Sequence, residues 1–195
     1  MNPIIKRRSI RKFKPQAVSK EQLAAVVASG ILAPSSKNRQ PWRFVVLTGR
    51  SKETALAAME RGLEREKRCP FLPDSAEFLP GAEHTLEIMR QAPALIFVIN
   101  TLGADLRCPL SVDERVYEIC NAQSIGAAVE NMLLTATELG LGSLWICNIF
   151  FAFDELTEFL NTDGVIYAAL AVGYPDEDPP PRPRKSIEET VEWRD

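Results

Sequence analysis

The sequence predicts a single domain that combines α-helices with a β-sheet. Two apolar runs, Ala94–Ile99 and Val165–Val172, have the length and composition of buried strands. Between them, residues 111–139 carry apolar side chains at spacings of three and four, the pattern of a long core helix. A chain of 195 residues with 46% hydrophobic content can bury one core, so we expect residues 1–195 to form one domain, with 174–195 as an extended tail.

The first predicted helix begins at a capping box. Ser19 and Gln22 have the spacing at which each side chain bonds the other residue's backbone N–H, and apolar residues then recur at helical spacing to about Leu32. A polar loop, Pro34–Pro41, ends this helix and leads into the β-rich run Arg43–Thr48.

The second helix is expected to begin with Ser51 as its cap and to end before Cys69-Pro70. Three prolines between residues 70 and 80 indicate an irregular connector after it. A short helical segment near residues 83–91 and the strand Ala94–Ile99 follow.

The second half of the chain also mixes helices and strands. The long helix at 111–139 ends at a Gly-Leu-Gly sequence, after which Ser143–Asn148 begins the next extended segment. Asp154 is expected to cap a short helix that stops near Asn161, and Val165–Val172 is the last strand.

The C-terminal tail differs in character from the rest of the chain. Five prolines fall between Pro175 and Pro183, so this segment must be extended, and it carries Arg182, Arg184 and Lys185. A segment of this kind lies across its own domain or wraps around a second subunit, and a disordered tail is the alternative.

The strongest local charge lies at the N-terminus. No acidic residue precedes Glu21 in a chain whose net charge is −3, whereas six of the first fourteen residues are basic: Lys6, Arg7, Arg8, Arg11, Lys12 and Lys14. On a helix, the three arginines would share one sector and converge on a single anion. Phosphate is the natural ligand, since guanidinium groups bind its oxygens in bidentate geometry, and Ser9 adds a hydroxyl donor. The alternative is a solvated basic arm.

The composition argues against several classes of protein. A mildly acidic chain attracts nucleic acid weakly, and its apolar runs are too short to span a bilayer. The charged N-terminus leads into no apolar h-region, which argues against a secretory signal. We therefore expect a cytoplasmic protein with neither nucleic acid nor membrane as partner.

The cysteines and the histidine offer little catalytic chemistry. The four cysteines are widely spaced without a CxxC pair, so we expect reduced thiols. His84 is the one histidine and is expected on a helix surface, so metal sites and mechanisms that need two histidines are excluded and no metal is predicted. Pairing of His84 with a distant cysteine is the alternative.

The polar loop Pro34–Pro41 could recognise a planar heterocycle. Asn38 and Gln40 both donate and accept hydrogen bonds, which matches the alternating carbonyl and imide groups of a flavin pyrimidine edge. Ser35 and Ser36 could bond ribityl hydroxyls. An ordinary turn has the same composition and is the alternative.

The glycines at 140 and 142 do not form a nucleotide-binding motif. The sequence Gly140–Trp145 lacks the last glycine of GxGxxG and follows a helix instead of a strand, so helix termination explains it better. The chain also has neither a Walker loop nor a GxSxG elbow.

Four motifs, taken in order, resemble the nitroreductase family over nearly the whole chain. They are Arg7–Phe13, Ala33–Trp42, Glu138–Ser143, and Val172–Pro175 followed after the proline-rich segment by Arg184–Glu189.

The resemblance implies an α+β fold with a central, mostly antiparallel sheet flanked by helices. It also implies an intertwined homodimer with two FMN sites at its interface, in which the extended C-terminal tail is exchanged and adds to the partner's sheet.

The resemblance implies a set of cofactor-binding residues as well. Arg7, Arg8, Ser9 and Arg11 would hold the FMN phosphate and ribityl end, joined by Arg184 and Arg182. The loop residues that would contact FMN, with the serines often coming from the opposite subunit, are Pro34, Ser35, Ser36, Asn38 and Gln40. The stretch along the isoalloxazine would comprise Leu144, Trp145, Ile146, Cys147 and Asn148, with backbone N–H groups near N5. Some family members have a Glu-Gly pair where this chain has Cys147-Asn148.

The implied activity is ping-pong hydride transfer from NADH or NADPH through FMN N5 to a nitroaromatic, quinone or similar electron-poor acceptor, with no catalytic side chain. The connector from Cys69 to Gln91 is expected to form a substrate-specific lid. Two alternatives stay open. One is an FMN enzyme with another reaction, such as flavin cleavage, dehalogenation or azoline oxidation. The other is a flavin-binding or nucleic-acid-binding protein without turnover.

Overall fold

Four antiparallel strands form the centre of the protein in the order β1-β2-β4-β3, as a computed structural model of residues 2–195 shows. The strands are β1 (Trp42–Thr48), β2 (Ala94–Asn100), β3 (Gly142–Ile146) and β4 (Val165–Gly173). The α-helices are α1 (Pro3–Lys6), α2 (Lys20–Ile31), α3 (Gly49–Glu66), α4 (Leu79–Gln91), α5 (Val112–Glu138), α6 (Phe153–Leu160) and α7 (Ile187–Thr190). Short 3₁₀ turns cover Ser36–Asn38, Pro73–Phe78 and Asn148–Ala152. The α+β fold with an antiparallel sheet is confirmed.

Strand β2 is the most protected element of the sheet. It pairs with β1 on one side, where Trp42 lies opposite Asn100, and with β4 on the other, where Ala94 lies opposite Val172. All seven of its residues are buried. Because both of its faces are covered, its first six residues, Ala94–Ile99, are a continuous apolar run without alternation, as predicted for a central strand, and the buried Asn100 ends it.

Helices cover both faces of the sheet, and β2 divides its side chains between them. Ile96 and Val98 pack in a core with α2 and α5, around Val129 of α5. Leu95 and Phe97 pack in the second core, which α3, α4 and α6 cover. The two cores follow from the twofold alternation of side chains along a strand.

The capping boxes confirm two predicted helix starts. Ser19 and Gln22 bond reciprocally at the start of α2, and Ser111 does the same with Glu114 at the start of α5. None of the helices within residues 2–195 combines the length and the apolarity that crossing a membrane requires.

Two other predicted caps are wrong. Helix α3 starts directly from β1 with Thr48 at the cap position, and Ser51 lies inside the helix, where its hydroxyl donates to the Thr48 carbonyl over 2.8 Å. Helix α6 starts at Phe153, so Asp154 lies in its first turn. In both cases the preceding residues already turn into the helix, and no free linker remains for the side chain to cap.

Candidate functional site

The arginine-rich N-terminal segment is extended and lies beside β3. Helix α1 ends at Lys6, and the backbone at Arg7 turns away from helical geometry, with φ −55° and ψ 135°. Ser9 then forms a parallel bridge with Ser143, and the Ile10 N–H donates to the Ser143 carbonyl over 3.0 Å. The expectation that a helix gathers the arginines is wrong, because this backbone bonds to the edge of the sheet.

The C-terminal tail runs antiparallel to the same segment. The Lys14 N–H donates to the Tyr174 carbonyl, and the Asp176 N–H donates to the Lys12 carbonyl, each over 2.9 Å. Beyond this ladder, the carboxylate of Glu177 accepts the Lys12 N–H over 3.2 Å. The start of the tail, residues 174–177, thus pairs with the arginine segment of its own chain, whereas residues 181–195 are exposed. Exchange of the tail in a dimer stays a prediction.

A cavity of about 740 Å³ lies where the two ends of the chain meet. Its N-terminal wall contains Ile4, Ile5, Arg7, Arg8, Ser9 and Arg11, and its C-terminal wall is the segment Pro179–Arg184. We call it the arginine cavity. The proline run shapes this wall, because its fixed backbone keeps the segment extended and brings both of its arginines to the cavity.

The guanidinium groups around the arginine cavity keep most of their positive charge uncompensated. Arg8 donates to the carbonyl oxygens of Ile5 and Arg7 at 2.7 and 2.8 Å, and Arg184 bonds two carbonyls of its own segment. Carbonyl contacts orient a guanidinium without neutralising it. Within residues 2–195, one cavity arginine has a carboxylate partner: Arg7 Nε lies 3.7 Å from Glu130 Oε1. The cavity therefore has the charge of an anion site.

The polar loop is strained and faces outward. Lys37, Asn38 and Gln40 all have positive φ, at 53°, 54° and 48°, a region that residues with side chains rarely occupy. Two hydroxyls hold this shape: the Ser35 hydroxyl accepts the Gln40 N–H over 3.0 Å, and the Ser124 hydroxyl of α5 accepts the Ser36 N–H over 3.2 Å. The exposed side chains of Asn38 and Gln40 are thus presented on a fixed backbone.

The predicted flavin-lining stretch has two parts. Leu144 and Ile146 point into the core from β3, whereas Trp145 is 40% exposed on the opposite face of the strand. Cys147 and Asn148 lie beyond the end of β3. Cys147 is exposed as a residue, but partial burial of its sulfur raises the pKa of the thiol, which is therefore neutral at neutral pH.

Within one protomer, the structure brings together part of the predicted set. The residues that share the arginine cavity are Arg7, Arg8, Ser9, Arg11, Arg182 and Arg184. The predicted residues outside its lining are Pro34, Ser35, Ser36, Asn38, Gln40, Leu144, Trp145, Ile146 and Cys147.

Two residues that contact predicted site residues were not identified from the sequence. Glu177 bonds the arginine segment, and Thr85 of α4 accepts a hydrogen bond from the Asn148 amide over 2.9 Å. Glu177 lies two residues beyond the Val172–Pro175 motif. No sequence signal marks Thr85, since a single threonine in a helix is common.

Comparison with known proteins supports one family. Residues 4–174 match the Nitroreductase family. One relative is a protein of Staphylococcus aureus (strain bovine RF122 / ET3-1) that is named as an NAD(P)H nitroreductase. Its sequence is 27% identical over an alignment of 213 positions, which covers 96% of this chain and 92% of that protein.

Solved structures agree with the sequence match. A nitroreductase-type protein of Desulfovibrio desulfuricans, solved in complex with FMN, is 28% identical with a TM-score of 0.72, covering 98% of this chain and 95% of that one. A BluB-like flavoprotein of Clostridium difficile 630 is 27% identical with a TM-score of 0.75, and the match covers 99% of this chain and 97% of that one. An FMN-dependent nitroreductase of Mycobacterium smegmatis, in complex with NADPH, has the same fold, with a TM-score of 0.77 at 18% sequence identity. The match covers 100% of this chain and 97% of that one. This chain belongs to the nitroreductase family.

Proposed function

We propose that this protein is an FMN-dependent NAD(P)H oxidoreductase whose arginine cavity holds the phosphate of FMN. The observation that carries the proposal is the convergence of guanidinium groups from both ends of the chain on one cavity with little carboxylate compensation. Its relatives include proteins named as NAD(P)H nitroreductases and a structure solved with FMN.

The residues of the arginine cavity suit a phosphate monoester. Such a group carries about −1.5 to −2 charges at neutral pH and offers three acceptor oxygens. Arg7, Arg8, Arg11 and Arg184 supply planar donors that can bond two oxygens each, and the Ser9 hydroxyl adds a further donor. Arg182 contributes a second charge from the tail.

The outward-facing loop would bind the flavin of a second protomer. Its strained backbone presents Asn38 and Gln40 to solvent, outside the arginine cavity of their own chain. In a homodimer, these amides and the serines at 35 and 36 would complete the partner's site. The stretch Leu144–Asn148 would lie along the ring, with backbone N–H groups near its N5 atom.

The first half of α5 supports the homodimer. It exposes Val112, Val116, Tyr117 and Ile119, of which Val112 is 78% exposed. Val112, Val116 and Ile119 follow one another at spacings of four and three and so share one face of the helix, an apolar patch that a second copy would cover. Sedimentation equilibrium should therefore give twice the chain mass, and Val116→Asp should shift the protein towards monomer.

When bound, FMN would supply the redox chemistry, taking a hydride from NAD(P)H and passing the electrons to a nitroaromatic, quinone or similar acceptor in ping-pong order. The chain's own part is to bind, orient and shield. The mostly protonated thiol of Cys147 is a poor nucleophile, which fits a site that needs none. Residues 69–78 would form the lid that selects the acceptor, whereas α4, the remainder of the connector predicted at 69–91, packs on the second core.

A second candidate keeps FMN and changes the reaction. The sequence identity with the Clostridium difficile flavoprotein is 27%, about as high as the 28% identity with the FMN-bound nitroreductase-type protein. Flavin cleavage, dehalogenation or azoline oxidation would then replace acceptor reduction.

Absorption spectra test the proposal. FMN-loaded protein should bleach on anaerobic addition of NADH or NADPH, and nitroaromatics or quinones should restore the oxidised spectrum in stopped flow. Bleaching without reoxidation by any of these acceptors would favour the second candidate. Flavin that stays oxidised with both nicotinamides would indicate a binding protein without turnover, and failure to bind FMN would overturn both candidates.

A further inference from the structure

We propose that Glu66 anchors the beginning of the lid segment, residues 69–78, so that the part able to move is Pro73–Phe78 and not the whole segment. The role as a lid rests on the proposed function above, whereas the anchoring follows from contacts within the folded chain. Glu66, the last residue of α3, is thereby a positioning residue for the lid.

The carboxylate of Glu66 is buried and binds the backbone of the lid segment. Glu66 is 5% exposed. Its Oε2 atom accepts the N–H of Phe71 over 2.9 Å, and its Oε1 atom accepts the N–H of Leu72 over 2.8 Å. Phe71 and Leu72 belong to neither a helix nor a strand, so their N–H groups need a partner from elsewhere. One carboxylate thus satisfies two consecutive backbone donors.

The charges around Glu66 explain why this contact is retained. A carboxylate at the C-terminal end of a helix faces the negative end of the helix dipole, and its burial costs free energy unless the charge is compensated. Arg65 compensates it: Nη1 lies 2.5 Å from Glu66 Oε2, while Nε lies 3.0 Å from Oε1 of Glu155 in α6. Release of the lid segment would take two of its three donors from a buried anion, so the anchored state is strongly favoured.

The side chain of Phe71 is held at the same place. Its ring stacks on Phe153 of α6, with the centroids 5.7 Å apart and the planes 8° from parallel. Arg107, from the loop between β2 and α5, also contacts this ring, with its guanidinium carbon 5.2 Å from the centroid. Arg107 is itself paired with Asp154. Contacts of the main chain and of the side chain therefore anchor the lid segment at one residue.

The six residues that follow Leu72 lack such contacts. In the 3₁₀ turn Pro73–Phe78 every residue except Ser75 is exposed, and Phe78 is 59% exposed. None of its side chains forms a hydrogen bond or an ion pair within residues 2–195. Packing on the second core resumes at Leu79. The lid segment is thus held at both ends, which places its hinges at residues 72–73 and 78–79.

Hydrogen exchange of the full-length protein, resolved to single amides, tests this inference. In the wild type, the protection factors of Phe71 and Leu72 should be at least about tenfold higher than those of Ala76 and Glu77, since exchange requires local opening. Glu66→Ala removes both acceptors and should raise exchange at the two anchored amides about tenfold. Glu66→Gln keeps one carbonyl oxygen, so one of the two amides should stay protected.

Glu155→Gln is the matched control, because it takes a carboxylate from the same Arg65 and none from the lid segment. It should leave both amides protected. The amides of β2 are the reference, since a variant that destabilises the whole fold raises exchange there as well. If Glu66→Ala fails to fold, Glu66→Gln decides alone.

Three results would overturn this inference. They are protection of the Phe71 and Leu72 amides no higher than at residues 76–77, protection that survives substitution of Glu66, and an equal rise in exchange at β2. A protein with the expected exchange pattern that does not bind FMN would overturn the proposed function and leave the anchoring intact.

Discussion

Glu177 accepts the backbone N–H of Arg11 with a donor–acceptor distance of 2.5 Å, across 166 positions of sequence. The same carboxylate oxygen accepts the Lys12 N–H at 3.2 Å. This double contact uses backbone donors and leaves the Arg11 guanidinium, which bonds the Ser9 carbonyl at 3.2 Å, on the cavity side. One carboxylate thus joins the two ends of the chain while the charge of the cavity stays available.

Replacing Glu177 should detach the tail from the arginine segment. Glu177→Ala leaves two N–H groups without their acceptor, so residues 179–184 lose their register on the cavity. We expect FMN affinity to fall about tenfold, comparable to the loss of one charge-assisted contact. We also expect faster cleavage of the tail by a protease in limited proteolysis.

Asp178→Ala is the matched control for this prediction. It removes the same charge one residue later, and no hydrogen bond to the Asp178 carboxylate occurs in residues 2–195. It should keep wild-type affinity and protease resistance. Equal losses in both variants would mean that charge, and not the contact, holds the tail.

Arg184 should discriminate between phosphorylated and unphosphorylated flavin. Arg184→Gln removes one guanidinium from the cavity wall, whereas Lys185→Gln removes the next positive charge, which does not line the cavity. We expect Arg184→Gln to weaken FMN binding about tenfold and to leave riboflavin binding unchanged, because riboflavin lacks the phosphate. Lys185→Gln should change neither affinity. Fluorescence titration measures both, and equal weakening for FMN and riboflavin would contradict the phosphate assignment.

The fold could be predicted from the sequence wherever a local pattern of residues is compatible with only one kind of secondary structure. The run Ala94–Ile99 of β2 is apolar because both faces are covered, and the capping box at Ser19 begins a helix. The caps assigned to Ser51 and Asp154 failed because the helix start is decided by the preceding strand or turn, not by the residue type alone.

The site could be predicted less completely, since it depends on contacts far apart in sequence. The arginines were identified from their charge, but their extended backbone comes from pairing with β3, as the bridge between Ser9 and Ser143 shows. Thr85 and Asn148 are 63 positions apart, and no local pattern connects them.

The thiol of Cys147 should react slowly at neutral pH. Partial burial raises its pKa above the ordinary value, so a smaller fraction is thiolate than in a free cysteine of pKa about 8.5. In a protein whose other three cysteines are replaced by serine, the rate of iodoacetamide alkylation should rise with pH to a midpoint above that of an unstructured cysteine peptide. A midpoint at or below that of the peptide would show that the sulfur is not desolvated.

Gly62 should be essential for the packing of α3 on the turn Asn148–Ala152. A methyl group added there would lie 2.2 Å from Ala152 Cβ, and 2.4 Å from its Cα, so the backbone would have to move. We expect Gly62→Ala to lower the free energy of unfolding by about 1–3 kcal/mol, as overpacked cores do. Gly81→Ala in α4 is the control: no heavy atom lies within 4 Å of its added carbon, so the better helix propensity of alanine should raise stability by about 0.5–1 kcal/mol. Urea unfolding of the two FMN-free variants measures both effects. A Gly62→Ala protein as stable as wild type would mean that the turn Asn148–Ala152 can move without lowering the free energy of unfolding. The position of Asn148 would then not depend on α3.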